Sequence, residues 1–107
     1  MTIATYGPAL ERTRTIPALT ALNASLGRNL PRDAEVRDRA ELLAVRAMRV
    51  IPTVLPFTRG CASDDFETAL TDLVGDLRHL ADHLGVDFRR VVSRSARAHR
   101  EEVAGAH

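Results

Sequence analysis

The chain has 107 residues, 45% hydrophobic and 27% charged, with a formal charge of +1, which is the size and composition of one globular domain and not of a disordered segment. Aromatic residues make up 4% and Trp is absent, which excludes the aromatic platforms on which single-stranded nucleic acids stack. The single Cys, Cys61, excludes an internal disulfide and a paired-Cys metal site and fits a reducing compartment. No signal-peptide pattern and no apolar run approaching the ~18 residues of a membrane span is found, so a cytoplasmic protein without a membrane partner is expected.

Residues 1–14 show no sustained period and contain Gly7 and Pro8, and are expected to form a flexible N-terminal arm ahead of a single helical domain over 15–107. From Thr15 the run TIPALTALNASLG predicts a first helix, with Thr15 as cap, Pro17 in the first turn and Gly27 at the exit. The second helix is expected to begin near Asp33 and run through DAEVRDRAELLAVRAMRVI. Val36, Ala40, Leu43, Ala44, Ala47, Val50 and Ile51 fall on one side of it as a buried stripe. Pro52 and Pro56 are expected to kink or end this helix, with FTRGCAS as the following loop.

The third helix follows, with Ser63 or Asp64 as cap, acidic residues in its first turn and Gly85 at its end. Phe66, Ala69, Leu70, Leu73, Leu77, Leu80, Ala81 and Leu84 make a nearly continuous apolar face, so the helix is expected to lie against the core along its whole length. The short link GVD leads to a fourth helix capped by Asp87, and favours an antiparallel pairing of helices three and four. No strand alternation and no internal repeat is present. The expected fold is all-α, a small bundle of about four helices with the third and fourth as an antiparallel hairpin.

The segment DLVGDLRHLADH, residues 72–83, raises the functional question. At about 100° per residue, Asp72, Asp76, His79 and His83 fall within about 60° of one another, in a row bordering the apolar face. Such a row is the ordinary polar edge of an amphipathic helix, solvated or paired with Arg. It is also where ligands facing a neighbouring helix would stand. Helix two offers Asp38 and Glu41, so Asp38, Glu41, Asp72 and Asp76 are a candidate set for Mg²⁺ or Mn²⁺, with His79, His83 and His99 as secondary candidates.

The segment ALTDLVGDLRHLADHLGVDFRRVVSRSARAHREE, residues 69–102 and about a third of the chain, resembles the C-terminal helical hairpin of the MazG-like all-α nucleoside triphosphate pyrophosphohydrolases. It also resembles short phage and actinobacterial helical proteins with a DL..DL.H..D..G.DF pattern. In the pyrophosphohydrolases a Glu-x-x-Glu pair and a Glu-x-x-Asp pair on successive helices bind Mg²⁺ for cleavage of an NTP to NMP and pyrophosphate. The resemblance places Asp72 on the family's Asp, with Ala69 where the family has Glu. Asp38 and Glu41 stand for the first pair with Asp replacing Glu. On the last helix Ser95 and His99 replace the family's basic and amide residues. Loss of one carboxylate of four is expected to weaken Mg²⁺ binding, so the resemblance implies a divergent and even inactive member.

All 15 basic residues are Arg, and an Arg-only, Ala-rich composition is also what a GC-rich genome yields without selection for function. Arg89, Arg90, Arg94, Arg97 and Arg100 share one face of helix four; Arg90, Arg94 and Arg97 are the candidate phosphate contacts. The start of that helix has no Asn or Gln for base reading, and DNA is not an expected partner. No Gly-rich phosphate loop is present. Leu42 and Val45, off the main stripe of helix two, suggest a partner surface, most simply a homodimer. Two functional expectations result: a divergent metal-dependent nucleotide pyrophosphohydrolase, or a non-enzymatic helical module that binds a protein partner.

Overall fold

In a computed structural model of the chain, residues 6–105 are described, and among them every regular element is helical: α1 (Tyr6–Glu11), α2 (Ile16–Leu26), a one-turn 3₁₀ segment (Asp33–Glu35), α3 (Arg39–Thr58), α4 (Phe66–Leu84) and α5 (Phe88–Gly105). The four helices expected from the sequence correspond to α2 to α5. Short polar side chains set most of the boundaries. Thr15 accepts the Ala18 N–H at 3.3 Å and starts α2, and Asp87 accepts the Arg90 N–H at 3.1 Å and starts α5. For α4 the cap is Asp65, in place of the expected Ser63 or Asp64: its Oδ2 accepts both the backbone N–H and the hydroxyl of Thr68 at 3.0 Å. Gly85 ends α4 with φ 71°, a left-handed conformation that favours glycine.

Two boundaries of α3 differ from expectation. The helix begins at Arg39, because Glu35 is committed to a separate turn in which its Oε1 accepts the backbone N–H and the Nε–H of Arg32, each at 3.0 Å. Asp38 then caps α3, accepting the Ala40 N–H at 2.9 Å and the Glu41 N–H at 3.5 Å. At the other end α3 continues through Pro52 and Pro56 to Thr58. Both prolines are exposed, four residues apart and so on one side of the helix, where the carbonyls of Met48 and Pro52 lack their usual amide donors.

The core is built on α3, with Met48 and Val45 fully buried. Leu19, Met48 and Ile51 form its centre, and Tyr6, Leu10, Leu22 and Leu26 pack around them. Part of the expected N-terminal arm is therefore helix: α1 lies on α3, with the Tyr6 N–H donating to Glu41 Oε1 at 3.0 Å and Gly7 beside Ala44. Residues 1–5 of that arm lie outside the described residues. Because α1 covers this side, the buried face of α3 runs along Glu41, Leu42, Val45, Met48, Ile51, Val54 and Thr58. Ala40, Ala47 and Val50 of the expected stripe are exposed. Leu42 and Val45 are thus covered within the chain.

The starts of α2 and α4 are tied by a backbone bridge between Thr15 and Asp65. Ile16 N–H donates to the Asp64 carbonyl at 2.7 Å and Phe66 N–H to the Arg14 carbonyl at 3.2 Å. From this bridge α4 packs Phe66, Ala69 and Leu73 on Val54, Phe57 and Thr58 of α3. The last turns of α5 return to the opposite half of α3, where His99 and Val103 lie beside Leu43 and Ala47 and Glu102 pairs with Arg46 at 3.2 Å. Next to the α4–α5 link, the Arg78 guanidinium stands 5.1 Å above the Phe88 ring, a cation–π distance.

Helices α3, α4 and α5 therefore touch near their ends. The expectation that α4 lies on the core along its whole length is not met: of its residues only Ala69 and Ala81 are buried, and α5 has no buried residue. The chain is correspondingly extended, 48 × 31 × 19 Å with a radius of gyration of 15.4 Å, against about 13 Å for a compact domain of this length.

Candidate functional site

The four candidate carboxylates separate into two places. Asp38 and Glu41 sit at the start of α3, where each has a structural task. Asp38 caps the helix. Glu41 is buried and accepts the Tyr6 N–H, so its carboxylate holds α1 against α3. Asp72 and Asp76 sit on exposed turns of α4 and line a groove with Phe57, Gly60, Cys61 and His79. Since Phe57 lies at the far end of α3, roughly 24 Å of helix axis at 1.5 Å per residue separates the Glu41 backbone from that groove. One chain does not bring the two pairs together.

The groove encloses about 550 Å³ and is open to solvent. It joins Asp72, Asp76 and His79 to Cys61, a residue that the sequence alone did not associate with the row. The Cys61 Sγ lies 3.9 Å from the Phe57 carbonyl, as a weak hydrogen bond just past the end of α3. Among the described residues no group of three or more His, Cys, Asp or Glu side chains is close enough to hold a metal ion.

The histidines disperse. The His83 Nδ1 lies 2.9 Å from the His79 carbonyl one turn back along α4, and as the partner is a carbonyl, that nitrogen carries the proton and donates. His99 lies on α5 beside Leu43, Arg46, Val50 and Glu102, so it meets α3 and not His79 or Asp76. Arg90, Arg94 and Arg97 are exposed on α5, with Arg97 at 4.0 Å from Glu101 on its own helix. The better-connected arginines are on α3: Arg49 pairs with Asp33 and donates to the Pro31 carbonyl at 2.8 Å. Arg46 reaches both Glu102 at 3.2 Å and Asp33 at 3.9 Å. These pairs are half-exposed, each worth about 0–1 kcal/mol, and they locate α5 and the 3₁₀ turn on α3.

A feature of another kind occupies α4, the link and α5. Leu77, Leu80, Leu84, Val86, Val91 and Val92 are all exposed, Leu84 to 68% and Leu80 to 55%. Leu77, Leu80 and Leu84 continue the stripe that packs on α3 at the start of α4, Val86 and Val92 border Arg78, Asp82 and Phe88, and Val50, exposed in the middle of α3, lies between the two ends that α4 and α5 cover. Scattered exposed apolar residues are ordinary, whereas Leu77, Leu80 and Leu84 follow one another on one side of a single helix. No helix among the described residues is long and apolar enough to cross a membrane. No protein family, curated protein or solved structure matches the chain.

Proposed function

We propose that the protein is a helical interaction module whose working surface is the apolar face of α4 and α5. The observation that carries this reading is the exposure of Leu77, Leu80 and Leu84 on the same side of α4 that packs against α3 one and two turns earlier. A stripe of that length is useful only if something covers all of it, since each of these leucines, 44–68% exposed, forgoes roughly half of the 1.5–3 kcal/mol that full burial brings. The core around Met48 is assembled without these residues. The test is the double substitution Leu80→Asp with Leu84→Asp, followed by circular dichroism and urea unfolding. A surface reserved for another polypeptide gives a variant that stays helical and unfolds cooperatively. A surface that closes on the chain's own core gives one that loses its cooperative transition, because two buried unpaired carboxylates each cost several kcal/mol, and that result would refute the reading.

The groove of Asp72, Asp76, His79 and Cys61 lends support to a second reading, the divergent MazG-like nucleotide pyrophosphohydrolase that uses Mg²⁺ or Mn²⁺. That reading needs a second carboxylate pair at the groove, a position that Asp38 and Glu41 of the same chain do not occupy. Calorimetric titration of Mn²⁺ into the wild type and Asp72→Asn decides it: saturable binding abolished by the substitution supports a metal site, and absence of binding to millimolar Mn²⁺ removes it.

A further inference from the structure

Helix α5 is fastened to the rest of the chain at its two ends. We infer that it is a releasable arm, whose far end is held on α3 by the Arg46–Glu102 ion pair and set free when that pair is screened. The inference goes beyond the interaction-module reading and stands whether or not a partner uses the apolar side of α4. α5 has no buried residue. Only Phe88 at its start and Glu102 and Val103 near its end are half-buried, and every residue between them is exposed. At the near end the Phe88 ring lies under the Arg78 guanidinium at 5.1 Å, beside the exposed link of residues 85–87. At the far end His99 and Val103 lie beside Leu43 and Ala47, and the Arg46 Nη1 donates to Glu102 Oε2 at 3.2 Å.

The two other long helices that meet α3 rest on buried carbon, Leu19 from α2 and Ala69 from α4. The contact with α5 has no such residue on the α5 side, so charge carries a larger share of it. Arg46 is positioned from the opposite direction. Its Nη2 lies 3.9 Å from Asp33 Oδ2, and Asp33 is held in turn by Arg49, which donates to the Pro31 carbonyl at 2.8 Å. Of these groups Glu102 alone belongs to α5, so the network parts at the Arg46–Glu102 bond when α5 leaves. The side chains of Arg46, Asp33 and Glu102 are 42–48% exposed, within reach of dissolved ions. The screening length falls from about 10 Å at 0.1 M salt to about 3 Å at 1 M, whereas apolar contacts are not screened and sulfate salts strengthen them. Loosening by salt is therefore the mark of a contact held by charge. Release of the arm uncovers Leu43 and Ala47 on α3 and Val103 on α5, a patch separate from the leucines of α4.

Methyl-resolved NMR of the full chain tests the inference. The nuclear Overhauser contacts between Val103 and Ala47, and the relaxation dispersion of both methyls, are compared at about 0.05 and about 1 M NaCl. The contact between Leu73 and Val54, which joins α4 to α3, serves as the reference. The undocked fraction is expected to rise about two- to fivefold at high salt, and by the same factor in Glu102→Gln at low salt. That variant should no longer respond to salt. Glu101→Gln, which removes only the Arg97 pair inside α5, should match the wild type. Val103–Ala47 contacts that are indifferent to both salt and Glu102→Gln would show that apolar packing alone holds the end, and would overturn the inference. A Glu102→Gln variant that keeps the salt response of the wild type, or a reference contact that loosens in parallel, overturns it as well.

Discussion

The two halves of α3 and its neighbours differ from α4 and α5 in how their apolar residues are used. Around Met48 three helices converge, and Val45 and Met48 lose all contact with solvent. Along α4 and α5 an equally regular apolar pattern leaves Leu80 and Leu84 more than half exposed. Helical periodicity therefore does not by itself say which apolar faces the chain covers. Polar groups divide in the same way. Asp38 and Glu41 are bound into backbone hydrogen bonds of the core region, whereas Asp72 and Asp76 face an open groove.

The largest expected contrast is between two truncations. Met48→Ala should lower the unfolding free energy by about 2–5 kcal/mol in urea titration, through lost burial and the cavity left behind. Leu84→Ala, measured at concentrations low enough for a single chain, should change it by less than about 0.5 kcal/mol. Comparable losses from the two would erase the distinction between the regions. A smaller contrast separates the carboxylates. Asp38→Ala removes a helix cap and should cost about 1 kcal/mol, while Asp38→Asn, which also caps, should cost little. Asp72→Ala should be close to neutral for stability, so a loss there as large as at Asp38 would reveal a structural task in the groove.

The smallest effect concerns pH and belongs wholly to the N-terminal half. Hydrogen bonds from the Arg32 backbone N–H, and then from its side chain, hold the Glu35 carboxyl below its ordinary value of 4.5. A depressed carboxylate stabilises the fold above the unfolded value and loses that contribution as the pH falls through the folded one. The Arg32 amide, followed by NMR, should therefore keep its turn environment at neutral pH and lose it only below about pH 4.5, with Glu35→Gln removing the transition.

Local rules made much of the helix plan legible. Thr15, Gly85 and Asp87 mark boundaries because capping and left-handed turns depend on a few adjacent residues. The buried side of α3 was not legible, because it depends on α1, whose six residues carry Gly7 and Pro8 and too short a period to register as a helix. Once α1 is in place, Val45 and Met48 fall under it and Ala47 and Val50 turn outward. The course of α4 escaped for a related reason: its stripe is regular, and only the positions of α3 and α5 decide where it leaves the core. The polar row of Asp72, Asp76 and His79 was legible as a row, and its companion Cys61 was not, since the fold of the segment after α3 brings it there. Asp38 read as a candidate ligand within helix two, and its role as the cap of α3, accepting the Ala40 and Glu41 N–H groups, was not legible because that helix was expected to begin near Asp33.

The bridge between Thr15 and Asp65 closes a loop of about fifty residues, and closing a loop of that length carries an entropic cost that rises only slowly with its size. Its two hydrogen bonds are made by main-chain atoms alone. Substitutions at the exposed Arg14 and Asp64, which contribute only their carbonyls, can thus change the side chains beside the seam without unfastening it. The direction in which α4 departs is in this way inherited from the backbone, and sequence drift is free to reshape what the exposed helix presents while its point of attachment stays where it is.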